Sequence, residues 1–282
     1  MGKKKVTIQG VEGCFHDAAA REFFSNEDIE TVPCESFPLM VDMIRKDPSL
    51  IGIMAIENTI AGSLLQNHEL IHQAGLVISG EYKMRISHVL CALPGQRLDS
   101  LSEVNSHPIA LMQCEEFLRS HPNLKMIEKF DTAGSAREIA EHRLEGHAAI
   151  CGEYAARLYG LEIIEKGIET NKRNFTRFLI VRHPDGEPTL QEGSRADKAS
   201  IVFTLPHTQG ALSKVLTILA FYDLNLTKIQ SFPIVGREWE YKFYIDLAFD
   251  DAARFRQALE AARPLTSQFK ILGEYPSCKK IL

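Results

Sequence analysis

The chain has 282 residues, 45% of them hydrophobic, and a formal net charge of −5 at neutral pH. This length and composition predict two domains with hydrophobic cores, and the lack of a basic excess argues against nucleic acid as a partner. No apolar stretch is long enough to span a membrane, and the start of the chain leads into a strand pattern rather than a signal peptide.

Short apolar runs alternate with amphipathic helical patterns in the first part of the chain. Residues 50–56 form a nearly continuous apolar run, as expected of a strand buried on both faces. Further strands are predicted at residues 6–9, 76–79, 88–93, 124–130, 148–151 and 178–181, and helices at 18–24, 110–118 and 135–144. This alternation predicts an α/β module with mainly parallel sheets, whose ligands bind beyond the carboxyl ends of the strands.

The composition changes at residues 183–197, where proline, glycine and charged residues replace the apolar periodicity, as at 183–188 and 191–194. We interpret this segment as a linker. Beyond it, the predicted elements are strands at 200–205, 225–231, 241–249 and 269–275 and helices at 210–222 and 251–262. The order βαββαβ is that of a ferredoxin-like unit.

Two early loops carry residues that suit a binding site. Gly10-Val11-Glu12-Gly13 has glycines that let backbone N–H groups approach an anion, with a tight turn as the alternative; His16 and Asp17 then suit a helix start. Glu57-Asn58-Thr59 places a carboxylate, an amide and a hydroxyl directly after the most apolar strand, which favours a site over a simple capped turn.

Three later segments are open to two interpretations each. Ser106 and Gln113 flank a helix that begins at Pro108 and could hold a carboxylate together with its amides, and Asp131-Thr132 begins another helix as an N-cap. In Asn174-Phe175-Thr176-Arg177-Phe178, alternation places Asn174, Thr176 and Phe178 on one face and Arg177 on the other. By itself this last pattern fits a site or a buried salt bridge equally well.

His68-Glu69-Leu70-Ile71-His72 matches the His-Glu-x-x-His pattern of zinc hydrolases. A third ligand is missing, because Ile78 stands where the extended pattern requires histidine, and Gly75 is expected to end the helix. We therefore expect exposed histidines on a short helix, with no metal site.

Taken in order, these motifs resemble the prephenate dehydratase family over almost the whole chain, and the C-terminal part resembles the ACT domain that these enzymes carry. The resemblance rests on Gly10-x-x-Gly13-x-Phe15-x-x-Ala18-Ala19, Ile56-Glu57-Asn58-Thr59-x-x-Gly62, Ser106-His107-Pro108-x-Ala110-x-x-Gln113-Cys114, Asp131-Thr132-Ala133, Ala148-Ala149-Ile150 with Tyr159-Gly160-Leu161, Asn174-x-Thr176-Arg177-Phe178, Gly210-Ala211-Leu212-x-x-Val215-Leu216 and Asn225-Leu226-Thr227-x-Ile229.

The resemblance implies decarboxylating dehydration of prephenate to phenylpyruvate in L-phenylalanine biosynthesis, without a cofactor or metal. It implies an α/β, two-lobed, periplasmic-binding-protein-like catalytic module at residues 1–182, with lobe one at 1–80 and 161–182 and lobe two at 81–160. The linker follows at 183–197 and the ferredoxin-like ACT domain at 198–282. The module's site is expected in the cleft between the lobes.

The expected site residues follow from the same motifs. Thr176 is the favoured donor to the leaving hydroxyl, because the family's corresponding threonine is regarded as catalytic, with Glu57 and His107 as alternative acids. The substrate is expected to contact Asn58, Thr59, Ser106, Gln113, Thr132, Asn174, Arg177 and Phe178.

The ACT resemblance implies that phenylalanine is an effector, bound near Gly210, Ala211, Leu212, Gln230, Ser231 and Pro233 at the interface of a homodimer or homotetramer. Three positions depart from the family pattern: His16 replaces a serine, Thr59 replaces a serine, and Gln230-Ser231-Phe232-Pro233 replaces Glu-Ser-Arg-Pro. The last departure removes two charges from the effector region. Arogenate dehydration, a non-catalytic sensor and a zinc hydrolase are the competing functions.

Overall fold

The protein is described here by a computed structural model, which covers residues 3–188 and 195–278. The strands are β1 (Lys4–Gln9), β2 (Ile29–Cys34), β3 (Ile51–Asn58), β4 (Gly62–Ser63), β5 (Val77–Arg85), β6 (Val89–Ala92), β7 (Glu103–Ser106), β8 (Lys125–Glu128), β9 (His147–Cys151), β10 (Glu162–Lys166), β11 (Phe175–Arg182), β12 (Lys198–Thr204), β13 (Asn225–Pro233), β14 (Tyr241–Ala248) and β15 (Gln268–Tyr275). The helices are α1 (Phe15–Phe23), α2 (Phe37–Lys46), α3 (Leu65–Gln73), α4 (Pro108–Gln113), α5 (Glu115–Ser120), α6 (Thr132–His142), α7 (Glu153–Leu158), α8 (Ala211–Phe221) and α9 (Ala252–Ala262).

Local sequence explains where the longer helices begin. Ser36 caps α2, its hydroxyl accepting the N–H of Leu39, and a proline occupies the first turn. Asp131 caps α6 in the same way, its Oδ1 lying 2.8 Å from the N of Gly134. Both helices bury one apolar face against a sheet, which supplies most of their stability.

Two mixed sheets form the N-terminal module. The first sheet has the strand order β2-β1-β3-β11-β5 and the second has the order β10-β6-β9-β7-β8. In the first, β1 runs parallel to β2 and β3, whereas β11 is antiparallel to both of its neighbours. The prediction of mainly parallel sheets is therefore wrong, because β11 returns from the other lobe and can pair antiparallel without a crossover helix.

The two-lobed arrangement is confirmed, but both lobe boundaries shift. Strand β5 continues to Arg85 within the first sheet, so lobe one does not end at residue 80. Strand β10 pairs with β6 in the second sheet, so residues 162–166 belong to lobe two rather than lobe one. The chain crosses between the lobes at residues 86–88 and 167–174.

The C-terminal domain has the predicted βαββαβ order. Its sheet order is β13-β14-β12-β15, with antiparallel neighbours throughout, and α8 and α9 cover one face. The other face packs on lobe one, where Tyr244 and Leu272 join the core that contains Met54 and Ile71. Strand β15 lies so close to β5 that a Cβ on Gly273 would be 1.9 Å from the carbonyl oxygen of Ile78.

The predicted linker is only partly described, since residues 191–194 lie outside the described residues. Residues 183–188 are held against lobe one: the Arg182 guanidinium donates to the carbonyls of His183, Pro184 and Gly186. A Cβ on Gly186 would be 2.6 Å from the carbonyl oxygen of Pro48. Within residues 3–188 and 195–278, none of the helices has the length and hydropathy of a membrane span.

Candidate active site

The cleft between the two lobes holds a cavity of about 270 Å³. Lobe one contributes the ends of β1, β3 and β11 and the start of α1, and lobe two contributes the starts of α4 and α6. The lining residues are Gln9, Cys14, Phe15, His16, Ala55, Asn58, Ala61, Leu64, Ile86, His88, His107, Ile109, Ala110, Gln113, Asp131, Thr132, Thr176 and Phe178. Among the described residues that line it, none is a lysine or arginine.

The two lobes approach closely beside this cavity. Gly10, at the end of β1, has a φ of +111°, and a Cβ there would be 3.1 Å from both Oδ2 of Asp131 and Sγ of Cys14. Glycine is required at this position both by the backbone conformation and by the proximity of lobe two. The glycine loop therefore brings the lobes together; no ligand is needed to explain it.

Thr176 lines the cleft and is paired with Asn58 on the neighbouring strand β3. The Asn58 amide Nδ2 donates to Thr176 Oγ1 at 3.0 Å and to Asn174 Oδ1 at 2.7 Å. Asn58 Oδ1 accepts the backbone N–H groups of Ile60 and Ala61, which fixes the orientation of the amide. The Thr176 hydroxyl thus accepts one hydrogen bond and keeps its own hydrogen available to the cleft.

Three histidines line the same cavity as this hydroxyl. Burial lowers the pKa of His16 to about 4, and its Nε2 accepts the N–H of Ala55 at 3.3 Å. Burial also lowers the pKa of His88. His107 caps α4, its Nδ1 accepting the N–H of Ile109 at 3.2 Å, which leaves Nε2 for the cleft. The lining therefore combines apolar side chains with hydrogen-bonding groups, and it also includes the Asp131 carboxylate.

Six of the residues predicted from the sequence line the cleft, and a seventh supports them from below. The six are Asn58, His107, Gln113, Thr132, Thr176 and Phe178. Asn174 is fully buried and bonds to Asn58 and Gln113 instead of facing the cavity. The alternation at residues 174–178 predicted this common face correctly.

Arg177 lies on the opposite face, and its predicted contact with substrate is not supported. Its Nε donates to Glu81 Oε2 at 2.6 Å, Nη1 bonds Asp246, and Nη2 lies 3.2 Å from the hydroxyl of Tyr275. The side chain is 9% exposed and spans the interface with the C-terminal domain. The alternation at residues 174–178 already pointed Arg177 away from Thr176, and the buried salt bridge was the correct alternative.

Glu57, Thr59 and Ser106 are also outside the cavity. Glu57 Oε2 lies 2.6 Å from Nζ of Lys228 in the C-terminal domain, so its predicted role as a general acid is not supported. The Thr59 hydroxyl donates to the carbonyl of Arg173 and accepts the N–H of Phe175, where the chain returns to lobe one. Ser106 is fully buried and donates to the carbonyl of Ile150, tying β7 to β9. Each side chain points to the face away from the cleft or into a lobe.

Sequence reasoning missed several residues that line the cleft, among them Cys14, His16, His88 and Asp131 as site groups. The sequence analysis treated His88 as the first residue of the apolar strand predicted at residues 88–93. A polar histidine at the start of such a strand could have indicated a site residue. Asp131 was interpreted as an N-cap, which it is, but its Oδ2 also faces lobe one. Burial raises the pKa of the Cys14 thiol to about 12, so this group is an unreactive thiol at neutral pH.

The His-Glu-x-x-His segment serves the domain interface. The prediction that both histidines are exposed is wrong: His68 is 2% exposed, His72 is half-buried, and both lie against Tyr244. Glu69 bonds Lys242 and Tyr244 of the C-terminal domain. Among residues 3–188 and 195–278, no group of three or more His, Cys, Asp or Glu side chains is placed to hold a metal ion.

The predicted effector residues fall into two separate groups in the described part of the chain. Ala211 and Leu212 line a space of about 130 Å³ with Trp239 and Tyr241, and Gly210 precedes them with a φ of +75°. The other three, Gln230, Ser231 and Pro233, lie along β13 at the edge of the sheet and do not line that space.

Comparison with known proteins decides the family. The family model described as prephenate dehydratase matches residues 6–186. The chain belongs to the prephenate dehydratase family. The predictions of this family and of an enzyme of the hydro-lyase class are confirmed.

Individual relatives include two described as dehydratases and one described as an acylase. Arogenate dehydratase/prephenate dehydratase 6, chloroplastic, from Arabidopsis thaliana is 36% identical over 288 residues, covering 96% of this chain and 68% of the relative. A prephenate dehydratase from Arthrobacter aurescens, solved in complex with L-Phe, is 28% identical with a TM-score of 0.84, covering 96% of this chain and 89% of the other. GqqA, described as a novel type of quorum quenching acylase, is 28% identical with a TM-score of 0.85 and 98% coverage of both chains.

Proposed function

We propose that this protein converts prephenate to phenylpyruvate, water and carbon dioxide for L-phenylalanine biosynthesis, with the Thr176 hydroxyl as donor to the departing oxygen. The observation that carries the proposal is the Asn58–Thr176 pair in the cleft of a prephenate dehydratase module. Because Oγ1 already accepts a hydrogen bond from Asn58, its own O–H is the group left to donate into the cavity.

The reaction needs little more from the protein. As the ring carboxylate leaves as carbon dioxide, the electrons of the broken carbon–carbon bond enter the ring and expel the hydroxyl group, which leaves as water after gaining a proton that originates in solvent. Aromatisation drives the step, so a hydrogen bond that strengthens as negative charge builds on the departing oxygen is sufficient assistance. His107, which lines the cavity and whose Nδ1 is occupied by the N–H of Ile109, is the second candidate donor.

Neutral donors account for binding of the dianionic substrate. The first turn of α6 offers N–H groups and the Thr132 hydroxyl, and Gln113 of α4 offers its amide from the same lobe. Such donors replace the guanidinium that the sequence led us to expect, because Arg177 is committed to the domain interface. Phe178 and Phe15 supply apolar contacts for the ring.

The acylase described for GqqA is not favoured by this cleft. Amide hydrolysis requires an activated nucleophile, and the Thr176 hydroxyl is bonded to an amide rather than to a base. The Cys14 thiol is held protonated by burial. The cleft supports elimination from a bound anion better than acyl transfer.

The deciding experiment is turnover of purified protein with prephenate, and in parallel with arogenate, following the aromatic product. Thr176→Ala should lower kcat by about 10²–10³-fold with an unchanged circular dichroism spectrum. Thr217→Ala, which removes a surface hydroxyl bonded to Ser213, is the matched control. Absence of turnover of either substrate would favour the non-catalytic sensor, and preference for arogenate would change the substrate but not the chemistry.

We further propose that the C-terminal domain is an ACT domain that binds L-phenylalanine between residues 210–212 of one protomer and 230–233 of its partner, in a cytoplasmic homodimer or homotetramer. The βαββαβ topology and the exposed edge strand β13 support this arrangement, as does the relative that was solved with L-Phe. Isothermal titration with millimolar phenylalanine and light scattering test it. A heat-silent titration, or a monomer, would remove the proposal.

A further inference from the structure

Five side chains below the cleft form a continuous hydrogen-bonded chain from lobe two to Thr176. It runs from His88 through Gln113, Asn174 and Asn58, with separations of 3.0 Å between His88 Nε2 and Gln113 Oε1 and between Asn174 Nδ2 and Gln113 Oε1. Asn58 Nδ2 completes it, at 2.7 Å from Asn174 Oδ1 and 3.0 Å from Thr176 Oγ1. Buried polar groups that are hydrogen-bonded in series in this way restrict one another's orientation.

The chain has a direction that is set at the Asn58 end. Because Asn58 Oδ1 accepts the N–H groups of Ile60 and Ala61, at 2.9 and 2.8 Å, the Nδ2 end must face Asn174 and Thr176. Asn174 therefore presents its oxygen to Asn58 and its nitrogen to Gln113. Each amide has one orientation that satisfies all of its neighbours.

The same logic fixes the other end. Gln113 Oε1 accepts from Asn174, and a carbonyl oxygen cannot donate, so His88 Nε2 must carry a hydrogen. Burial lowers the pKa of His88, so its ring is neutral at neutral pH and Nδ1 carries none. In agreement, Nδ1 is buried and finds no hydrogen-bond partner among the described residues. The single N–H group of the His88 ring therefore donates to Gln113 Oε1.

We propose that His88 is a positioning residue, which acts through Gln113, Asn174 and Asn58 to hold the Thr176 hydroxyl as a donor directed into the cleft. The inference rests on the proposed role of Thr176. Gln113 and His88 belong to lobe two, whereas Asn58, Asn174 and Thr176 belong to lobe one or to the returning chain. The chain of bonds therefore also sets the position of the lobe-two side of the cleft relative to the hydroxyl. His88 is not assigned an acid–base role here, since its N–H donates to Gln113 Oε1.

A double-mutant cycle tests the kinetic part. His88→Leu removes the donor and is expected to lower kcat by about ten-fold, the value of one buried hydrogen bond, with KM changed less. His88→Gln, whose amide places a donor where Nε2 lies, should restore most of kcat. In a Thr176→Ala background, His88→Leu should have almost no further effect in single-turnover measurements. Equal losses in both backgrounds, or no rescue by glutamine, would overturn the proposal; His142→Leu, on the exposed end of α6, is the control.

A spectroscopic measurement separates this inference from the proposed function. Nitrogen-15 spectra of histidine-labelled protein, assigned with His88→Gln, should show His88 as the neutral Nε2–H tautomer at pH 8. An Nδ1–H tautomer or a charged ring would overturn the positioning chain whether or not prephenate is turned over. The expected tautomer together with no prephenate turnover would instead remove the catalytic role of Thr176, and with it the proposal that His88 positions a catalytic donor.

Discussion

The two faces of the β3–β11 strand pair differ in charge although they are built from the same two short segments. On the cleft face, Asn58 and Thr176 carry uncharged side chains and form one end of the hydrogen-bonded chain that begins at His88. On the opposite face, Glu57 and Arg177 are charged and bond Lys228 and Asp246 of the C-terminal domain. A step of one residue in each strand separates the two environments, since side chains of a strand alternate between its faces.

The difference shows how charge is used in this protein. The face that packs against the C-terminal domain, called the docking face below, contains paired charges that include the buried carboxylates of Glu81 and Asp246. Burial opposes ionisation of these two carboxylates, but Arg177 and Lys198 outweigh it and lower both carboxyl pKa values. The cleft face leaves hydrogen-bond donors unused, which an anionic ligand can occupy. Four predictions test this division, from the largest expected effect to the smallest.

Arg177→Leu should lower the free energy of unfolding by about 3–5 kcal/mol, because it leaves the buried carboxylates of Glu81 and Asp246 without their guanidinium. Chemical denaturation measures the change. Arg119→Leu breaks a surface pair with Glu115 and should cost less than about 1 kcal/mol. If the two variants were equally stable, the docking face would not depend on its central ion cluster.

Gly273→Ala should weaken the docking of the C-terminal domain by about 1–3 kcal/mol. The added Cβ would lie 1.9 Å from a backbone oxygen of β5, which cannot move without disturbing the first sheet. Differential scanning calorimetry should show one unfolding transition separating into two. Gly134→Ala, where a Cβ meets its nearest neighbour at 3.4 Å within α6, is the matched control and should leave one transition.

His68→Leu should make stability less dependent on pH. Burial lowers the pKa of His68 from 6.5 to about 3, so below pH 6.5 the unfolded chain takes up a proton that the folded protein does not. The wild-type protein loses this part of its stability as the pH falls from 6.5 towards 3. Between pH 8 and pH 5, the variant should gain about 2 kcal/mol relative to wild type. An unchanged difference at the two pH values would contradict the buried neutral ring.

Glu57→Gln should have the smallest effect. Its carboxylate is 43% exposed and pairs with Lys228, so solvent screening limits the loss of stability to less than about 1 kcal/mol. Turnover of prephenate should stay within about three-fold of wild type, because changes outside the cleft cost little. A loss comparable to that of Thr176→Ala would instead restore Glu57 as the general acid and place the division between the two faces in doubt.

Much of this organisation follows from the sequence alone. The alternation of strands and helices, the βαββαβ unit and the common face of residues 174, 176 and 178 were read from periodicity, which depends only on local geometry. Periodicity did not predict β2, β10, α2 or α7. The ordered motifs then identified the family. The sequence also offered the buried salt bridge as an interpretation of Arg177, because strand alternation places Arg177 on the face opposite Thr176.

What the sequence could not decide was which residues from distant segments meet. Glu57 and Arg177 became docking residues because a sheet from the C-terminal domain covers their face, and His88 joined Thr176 through three amides separated along the chain by up to 116 residues. The mixed strand directions arose in the same way, from a chain that leaves lobe one and returns. Periodicity assigns a side chain to a face, but only the packing of lobes and domains determines whether that face meets substrate, solvent or another domain.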